Sequence, residues 1–209
     1  MENIQKMTFI TFDGPTATGK STLIKRLEEH YLSLGDDVFV VDERNEVRNL
    51  MEVFHNKDLI RSELPPITES CLWVANQLFR IELQIIPYKN RLVMADRYIY
   101  TPIVYQYLAL MNEGAKLEDV IKYISMPFGI PIPIPDISII VTASIDVIEE
   151  RFYIREKRKM KESERNTTIE AIKLYAGLAD YFDNYFLVDS SKDREEVFDS
   201  VRKIILKNK

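Results

Sequence analysis

Thr8-Phe9-Ile10-Thr11-Phe12-Asp13-Gly14-Pro15-Thr16-Ala17-Thr18-Gly19-Lys20-Ser21 runs from an apolar stretch into a loop bracketed by two glycines and closed by a lysine and a hydroxyl. The last eight of these residues match G-x-x-x-x-G-K-[ST] in full. The apolar run before them reads as a strand buried on both faces, and the pattern from Ser21 onward reads as a helix. Glycines let the backbone turn so that its N–H groups point at phosphate oxygens. The helix start adds the positive end of its dipole. The sequence therefore predicts a nucleoside-triphosphate cradle formed by Gly14, Thr16, Ala17, Thr18, Gly19, Lys20, Ser21 and Thr22. Lys20 reaches the β- and γ-phosphates there, and the Ser21 hydroxyl ligates Mg²⁺.

Working outward, four more apolar, β-branched runs follow, at Val38–Asp42, Leu92–Ala95, Ile137–Val141 and Tyr185–Val188. Helical patterns separate them at Ser21–Leu34, Ile67–Tyr88, Pro102–Met111, Asp146–Lys161 and Thr168–Asn184, and Arg194–Leu206 closes the chain. Alternation of this kind predicts βαβ units, a five-stranded parallel sheet and right-handed crossovers in a three-layer α/β fold. Gly35 can cap the first helix in the left-handed conformation. Asp146 with Glu149 three residues on predicts a capping box. The Ile-Pro-Ile-Pro-Ile-Pro run at 130–135 cannot be helical and is expected to feed the fourth strand in extended form.

Composition narrows the function classes. With 209 residues and 46% apolar content, one domain over residues 1–209 can bury a core. A net charge of −5 argues against a nucleic-acid partner held by bulk electrostatics. No apolar run approaches the 18 or so residues of a membrane span, and Met1–Met7 has no leader-like apolar centre. The single cysteine, Cys71, gives no disulfide framework, fits a reducing cytoplasm and is expected to be a small buried hydrophobe.

The third strand runs into Asp96-Arg97-Tyr98. In a parallel sheet ligands gather beyond the carboxyl ends of strands, so Asp96 is placed to hold Mg²⁺ and Arg97 to clamp an anion bidentately. Read alone, the same pair could simply cap a strand. Arg151, Arg155 and Arg158 recur at i, i+4 and i+7, which sets three guanidinium groups on one face of the predicted helix. Lys157, Lys159, Lys161 and Arg165 thicken that charge; the bland alternative is a solvated face. Phosphoryl transfer rewards fixed cations around the moving group, and the phosphate cradle itself supplies only Lys20. Trp73 suits either a core position or a base-stacking one.

These residues resemble the thymidylate kinase family. Phe9-Ile10-Thr11-Phe12-Asp13-Gly14 is similar to the family's opening strand and loop. Asp96-Arg97-Tyr98-Ile99-Tyr100-Thr101 with Tyr105-Gln106 is similar to its Asp-Arg-Tyr-x-x-Ser…Tyr-Gln signature, the more specific part. Trp73-Val74-Ala75-Asn76-Gln77 resembles its acceptor-binding helix, and Pro135-Asp136-Ile137, Asp146–Arg151, Tyr175–Ala179 and Val188-Asp189-Ser190 carry the likeness to the end of the chain. The resemblance implies a sheet order of 2-3-1-4-5, a lid at about 150–166 and a homodimer. It implies transfer of the γ-phosphate of ATP to a nucleoside monophosphate, with dTMP favoured. It places Asp13, Glu43, Trp73, Gln77, Arg80, Arg97, Tyr98, Thr101, Tyr105 and Gln106 around the acceptor, and makes Lys20, Arg97, Arg151 and Arg155 catalytic. Arg151 is also a candidate to lie against the adenine. Two departures concern the acceptor: Thr16 stands where the family commonly has Asp, and Gln77 where it has Arg, with Arg80 one turn on as the candidate substitute.

Two other readings stay open on sequence. A hydroxyl kinase would need a carboxylate base, for which Glu43 or Asp13 could serve. A regulatory nucleotide-binding module would need only the cradle. Asn56-Lys57-Asp58-Leu59 comes near the guanine-specific Asn-Lys-x-Asp pattern but has its aspartate one place early.

Overall fold

Thr8–Asp13 forms β1 because its apolar side chains can be buried alternately on two faces. The computed structural model describes residues 7–41, 65–87 and 91–208. Strands β1, β2 (Val38–Val41), β3 (Leu92–Asp96), β4 (Ile137–Thr142) and β5 (Tyr185–Asp189) form one parallel sheet in the order β2-β3-β1-β4-β5. The expected order 2-3-1-4-5 is thus the observed one. Asp42, Glu43 and the Asn56–Leu59 stretch lie outside the described residues.

The helices are α1 (Lys20–Ser33), α2 (Pro66–Arg80), α3 (Tyr100–Leu110), α4 (Leu117–Ser125), α5 (Ile145–Glu156), α6 (Glu162–Gly177) and α7 (Arg194–Asn208). On one face of the sheet, Ile10, Phe12, Met94 and Ile139 pack with Leu27 of α1 and Val201 of α7. On the other, Phe9, Val93 and Ile140 pack with Val74 of α2, Ile103 of α3, Ile124 of α4 and Tyr175 of α6. The result is a three-layer P-loop NTPase arrangement. Gly35 takes φ 87° after α1, and its N–H donates to Leu32 O at 3.0 Å, as expected of a left-handed cap.

Several expectations need correction. The cap of α5 is Ser144, whose Oγ accepts from Val147 N at 3.4 Å, so Asp146 is already helical. That helix stops at Glu156 because Lys157 turns left-handed at φ 55°, five residues before the expected end. Glu162 opens α6 instead, with the Glu164 carboxylate accepting from Lys161 N at 2.8 Å. Leu117–Ser125, which had no expected element, is helical and buries Val120 and Ile124. The helix expected to run to Tyr88 passes from α-helix to a wider π-helical turn at Ile81–Ile85. Cys71 is exposed, not buried, with its Sγ 3.4 Å from Tyr123 Oη.

Candidate active site

The β1–α1 loop is shaped by backbone that only small residues tolerate. Gly14 sits at φ 129°, and a β-carbon there would stand 2.1 Å from Val141 O. Ala17 and Gly19 also take positive φ, at 59° and 90°. Gly19 ends the loop without a side-chain cap, which leaves the first amides of α1 open to an anion. Lys20 folds back over the loop and donates to Gly14 O at 2.9 Å and Pro15 O at 2.6 Å, while Thr18 Oγ1 donates to Pro15 O.

A cavity of about 430 Å³ opens beside this loop. Residues 16–22 line it from the loop side, Asp96 and Arg97 from the end of β3, and Arg151 and Arg155 from α5. The sequence singled out every one of these. Ser21 Oγ donates to Asp96 Oδ2 at 2.8 Å, joining the loop to the sheet edge. Asp96 Oδ1 is buried with no hydrogen-bond partner among the described residues. A hydroxyl oxygen and an unpartnered carboxylate oxygen side by side are a donor set suited to a hard divalent cation that takes its other ligands from phosphates and water. These residues fit a metal.

Arg97 follows the last ladder residue of β3 and adopts φ 62°. Left-handed backbone costs a non-glycine residue about 1 kcal/mol. Its N–H donates to Phe12 O at 2.9 Å, and its guanidinium reaches Gly14 O at 3.3 Å. Arg151 donates to Ser190 O at 2.8 Å and Thr18 O at 3.4 Å, bridging the β5 edge and the loop. Arg155 donates to Thr16 Oγ1 at 3.1 Å. Arg158 does not join them. It lies beyond the end of α5, away from the cavity lining, in a two-pronged pair with Glu164 at 2.7 Å. That hydrogen bond, with the Lys161 amide, holds the Glu164 carboxyl down at about 2.

The expected acceptor residues divide differently. Asp13 is fully buried; its carboxylate accepts from Thr101 N, Thr101 Oγ1 and Tyr98 N at 2.6–3.2 Å. Burial pushes its pKa up, against those hydrogen bonds and Arg97. It fastens the start of α3. Tyr98 and Thr101 belong to the same buried network. Tyr98 is buried and donates to Pro133 O at 2.9 Å, while Thr101 Oγ1 also meets Tyr175 Oη at 3.1 Å. Gln106 is buried against Ser70, and Gln77 accepts from Arg80. Trp73 and Tyr105 are half-buried, and Glu43 lies outside the described residues. Arg80, expected to grip the acceptor, is 2% exposed and directs its guanidinium at main-chain carbonyls.

The far end of the cavity escaped the sequence reading. Ser190, Lys192 and Arg194 line it from the segment after β5, and Arg26 from α1. Ser190 Oγ lies 2.8 Å from Thr18 O and 2.9 Å from Thr142 O. The available signal was positional, since Ser190 follows a strand at the same sheet edge as Asp13 and Asp96.

Comparison with known proteins agrees with the geometry. A family model described as thymidylate kinase matches residues 12–201. A thymidylate kinase of Mycoplasmopsis pulmonis is 29% identical, over 96% of this chain and 88% of its own. One of Mesoplasma florum is 30% identical over 95% of this chain and 94% of its own. One of Thermosipho melanesiensis is 29% identical over 94% and 96%. Among the described residues, no helix is long and apolar enough to cross a membrane.

Proposed function

The chain belongs to the thymidylate kinase family, an ATP-dependent phosphotransferase that converts dTMP to dTDP, and we propose how the residues of this crevice share that work. The Ser21–Asp96 bridge carries the proposal. It joins the phosphate loop to the edge where Arg97 emerges, so donor and acceptor phosphates meet at one point.

ATP lies along the loop, its β- and γ-phosphates on the open amides of α1 and on Lys20. Ser21 and Asp96 Oδ1 would hold Mg²⁺, which would supply charge neutralisation for the transferring phosphoryl group. Arg151 and the Ser190 segment flank the adenosine end of the cavity. The dTMP phosphate is held by Arg97, and its base lies toward Trp73 and Tyr105 on α2 and α3. A non-bridging oxygen of that phosphate attacks the γ-phosphorus in line. The new O–P bond forms as the bond to the β–γ bridging oxygen breaks, and ADP leaves with that electron pair. The attacking oxygen is already anionic, so no general base is needed; this accords with Asp13 being buried and fully hydrogen-bonded. The α5–α6 segment at about 150–166 acts as a lid that brings Arg155 from Thr16 onto the transferring group and excludes water. A homodimer formed over the exposed Ile67, Leu83 and Ile86 side chains completes the reading.

Incubation with ATP labelled in the γ-phosphate, dTMP and Mg²⁺ tests the route. Label appearing in dTDP is expected, and label appearing only as free phosphate contradicts it.

A further inference from the structure

Parallel strands end at their carboxyl edge with carbonyls that the ladder no longer pairs. Three such carbonyls lie together here, on Val41 at the end of β2, on Asp96 at the end of β3 and on Arg97 just beyond it. Arg80, at the last turn of α2, serves all three. Its Nη1 donates to Arg97 O at 2.8 Å, and its Nη2 to Asp96 O at 3.1 Å and Val41 O at 3.5 Å. Gln77 Oε1 also accepts from Nη1, at 3.3 Å, which sets the plane of the guanidinium. A buried guanidinium is costly unless its donors are used, and these four acceptors take up its Nη1 and Nη2 donors.

Asp96 and Arg97 depend on this clip to different degrees. Asp96 sits in the ladder opposite Phe12 and bonds Ser21, so its place is fixed independently. Arg97 is the first residue past the ladder, in a left-handed conformation that an arginine does not favour. From the β1 side Phe12 O accepts its N–H, and from the α2 side Arg80 binds its carbonyl. Arg97 is thereby held by both its main-chain N–H and its carbonyl, and its side chain points across the crevice to Gly14 O.

We propose that Arg80 is a positioning residue for phosphoryl transfer, holding Arg97 in the left-handed conformation that aims its guanidinium at the acceptor phosphate. It touches neither nucleotide. The requirement is for a planar fork of donors with permanent charge. The single ammonium head of lysine cannot span two carbonyls in this way. The inference rests on the kinase reading above and adds to it a residue whose work is done through another.

A double-mutant cycle separates positioning from mere support of the fold. Arg80→Lys, Arg80→Gln, Arg97→Ala and the two doubles are compared with the unaltered protein for kcat and for KM of dTMP and of ATP. Variants that melt cooperatively enter the cycle, and two replacements at Arg80 guard against one failing to fold. Each Arg80 variant is expected to lower kcat/KM for dTMP by roughly 10- to 100-fold, the coupling seen between residues in one hydrogen-bond network. KM for ATP should move by less than about threefold, since the loop and Lys20 are untouched. With Arg97→Ala already present, changing Arg80 should cost less than about threefold more. Losses that multiply in the doubles, or Arg80 variants that keep full turnover, overturn the proposal. Failure of the unaltered protein to phosphorylate dTMP would instead be visible before any variant is compared, and would refute the kinase reading itself.

Discussion

Gly14 shows how strictly single positions are set at the phosphate loop. A β-carbon there meets Val141 O at 2.1 Å on a backbone at φ 129°, so both space and conformation exclude any larger residue. Gly14→Ala is expected to abolish the rise in melting temperature that ATP–Mg²⁺ produces. An unchanged rise would mean that the loop does not hold the phosphates. Lys20 is buried and bound to Gly14 O and Pro15 O, and its removal takes away the one loop cation. Lys20→Ala should lower kcat by about 100- to 1000-fold, the usual cost of one charge-stabilising donor, in a steady-state assay. The loop residues were legible because the motif's spacing is the mechanism: each position is needed for a backbone shape or a ligand contact. The acceptor residues were less legible. Tyr98 and Thr101 match the same sequence pattern whether they touch a sugar or fasten a helix, and here Asp13 and Pro133 claim their polar groups.

At the scale of elements, the α5–α6 segment carries the sharpest difference between expectation and structure. Three arginines spaced at i, i+4 and i+7 share a face only if the helix continues through all of them. Lys157 turns left-handed, and no sequence signal weighs that turn against a longer helix in a run this rich in charge. Arg155 therefore remains over Thr16 while Arg158 is taken by Glu164. The two should separate cleanly in single-turnover experiments. Arg155→Ala is expected to slow the chemical step by about 100- to 1000-fold. Arg158→Ala, which loosens only an exposed pair, should slow it by less than about tenfold. Equal losses would place both guanidinium groups on the transferring phosphate. The missed α4 was readable in principle, since Leu117, Val120, Ile121 and Ile124 follow helical spacing with Glu118 and Asp119 in the first turn.

For the whole molecule, the alternation of strands and helices sufficed to predict a parallel sheet, but not which strands are neighbours. Strand order depends on the crossovers, and it came from family resemblance, not from periodicity. Cys71 shows the same boundary: an apolar neighbourhood in sequence does not say which face of α2 the residue occupies. The sheet edge where β1, β3 and β5 end gathers the loop, Asp96 and Ser190 into one cavity, so binding there should stabilise the entire fold. At ATP–Mg²⁺ concentrations about 100 times Kd, linkage adds about 2.7 kcal/mol. For a chain of this size that corresponds to a melting temperature roughly 5–10 °C higher. Asp96→Asn should lose the Mg²⁺-dependent part of that rise and keep the part due to nucleotide alone.

The most direct test of phosphate transfer to a monophosphate is ADP release from ATP–Mg²⁺, followed by a coupled assay, against dTMP, other nucleoside monophosphates and unphosphorylated thymidine. Turnover with dTMP and none with thymidine is predicted, because Arg97 requires a phosphate to hold and Asp13, one candidate base, is buried and hydrogen-bonded. Turnover with thymidine in place of dTMP would contradict that account.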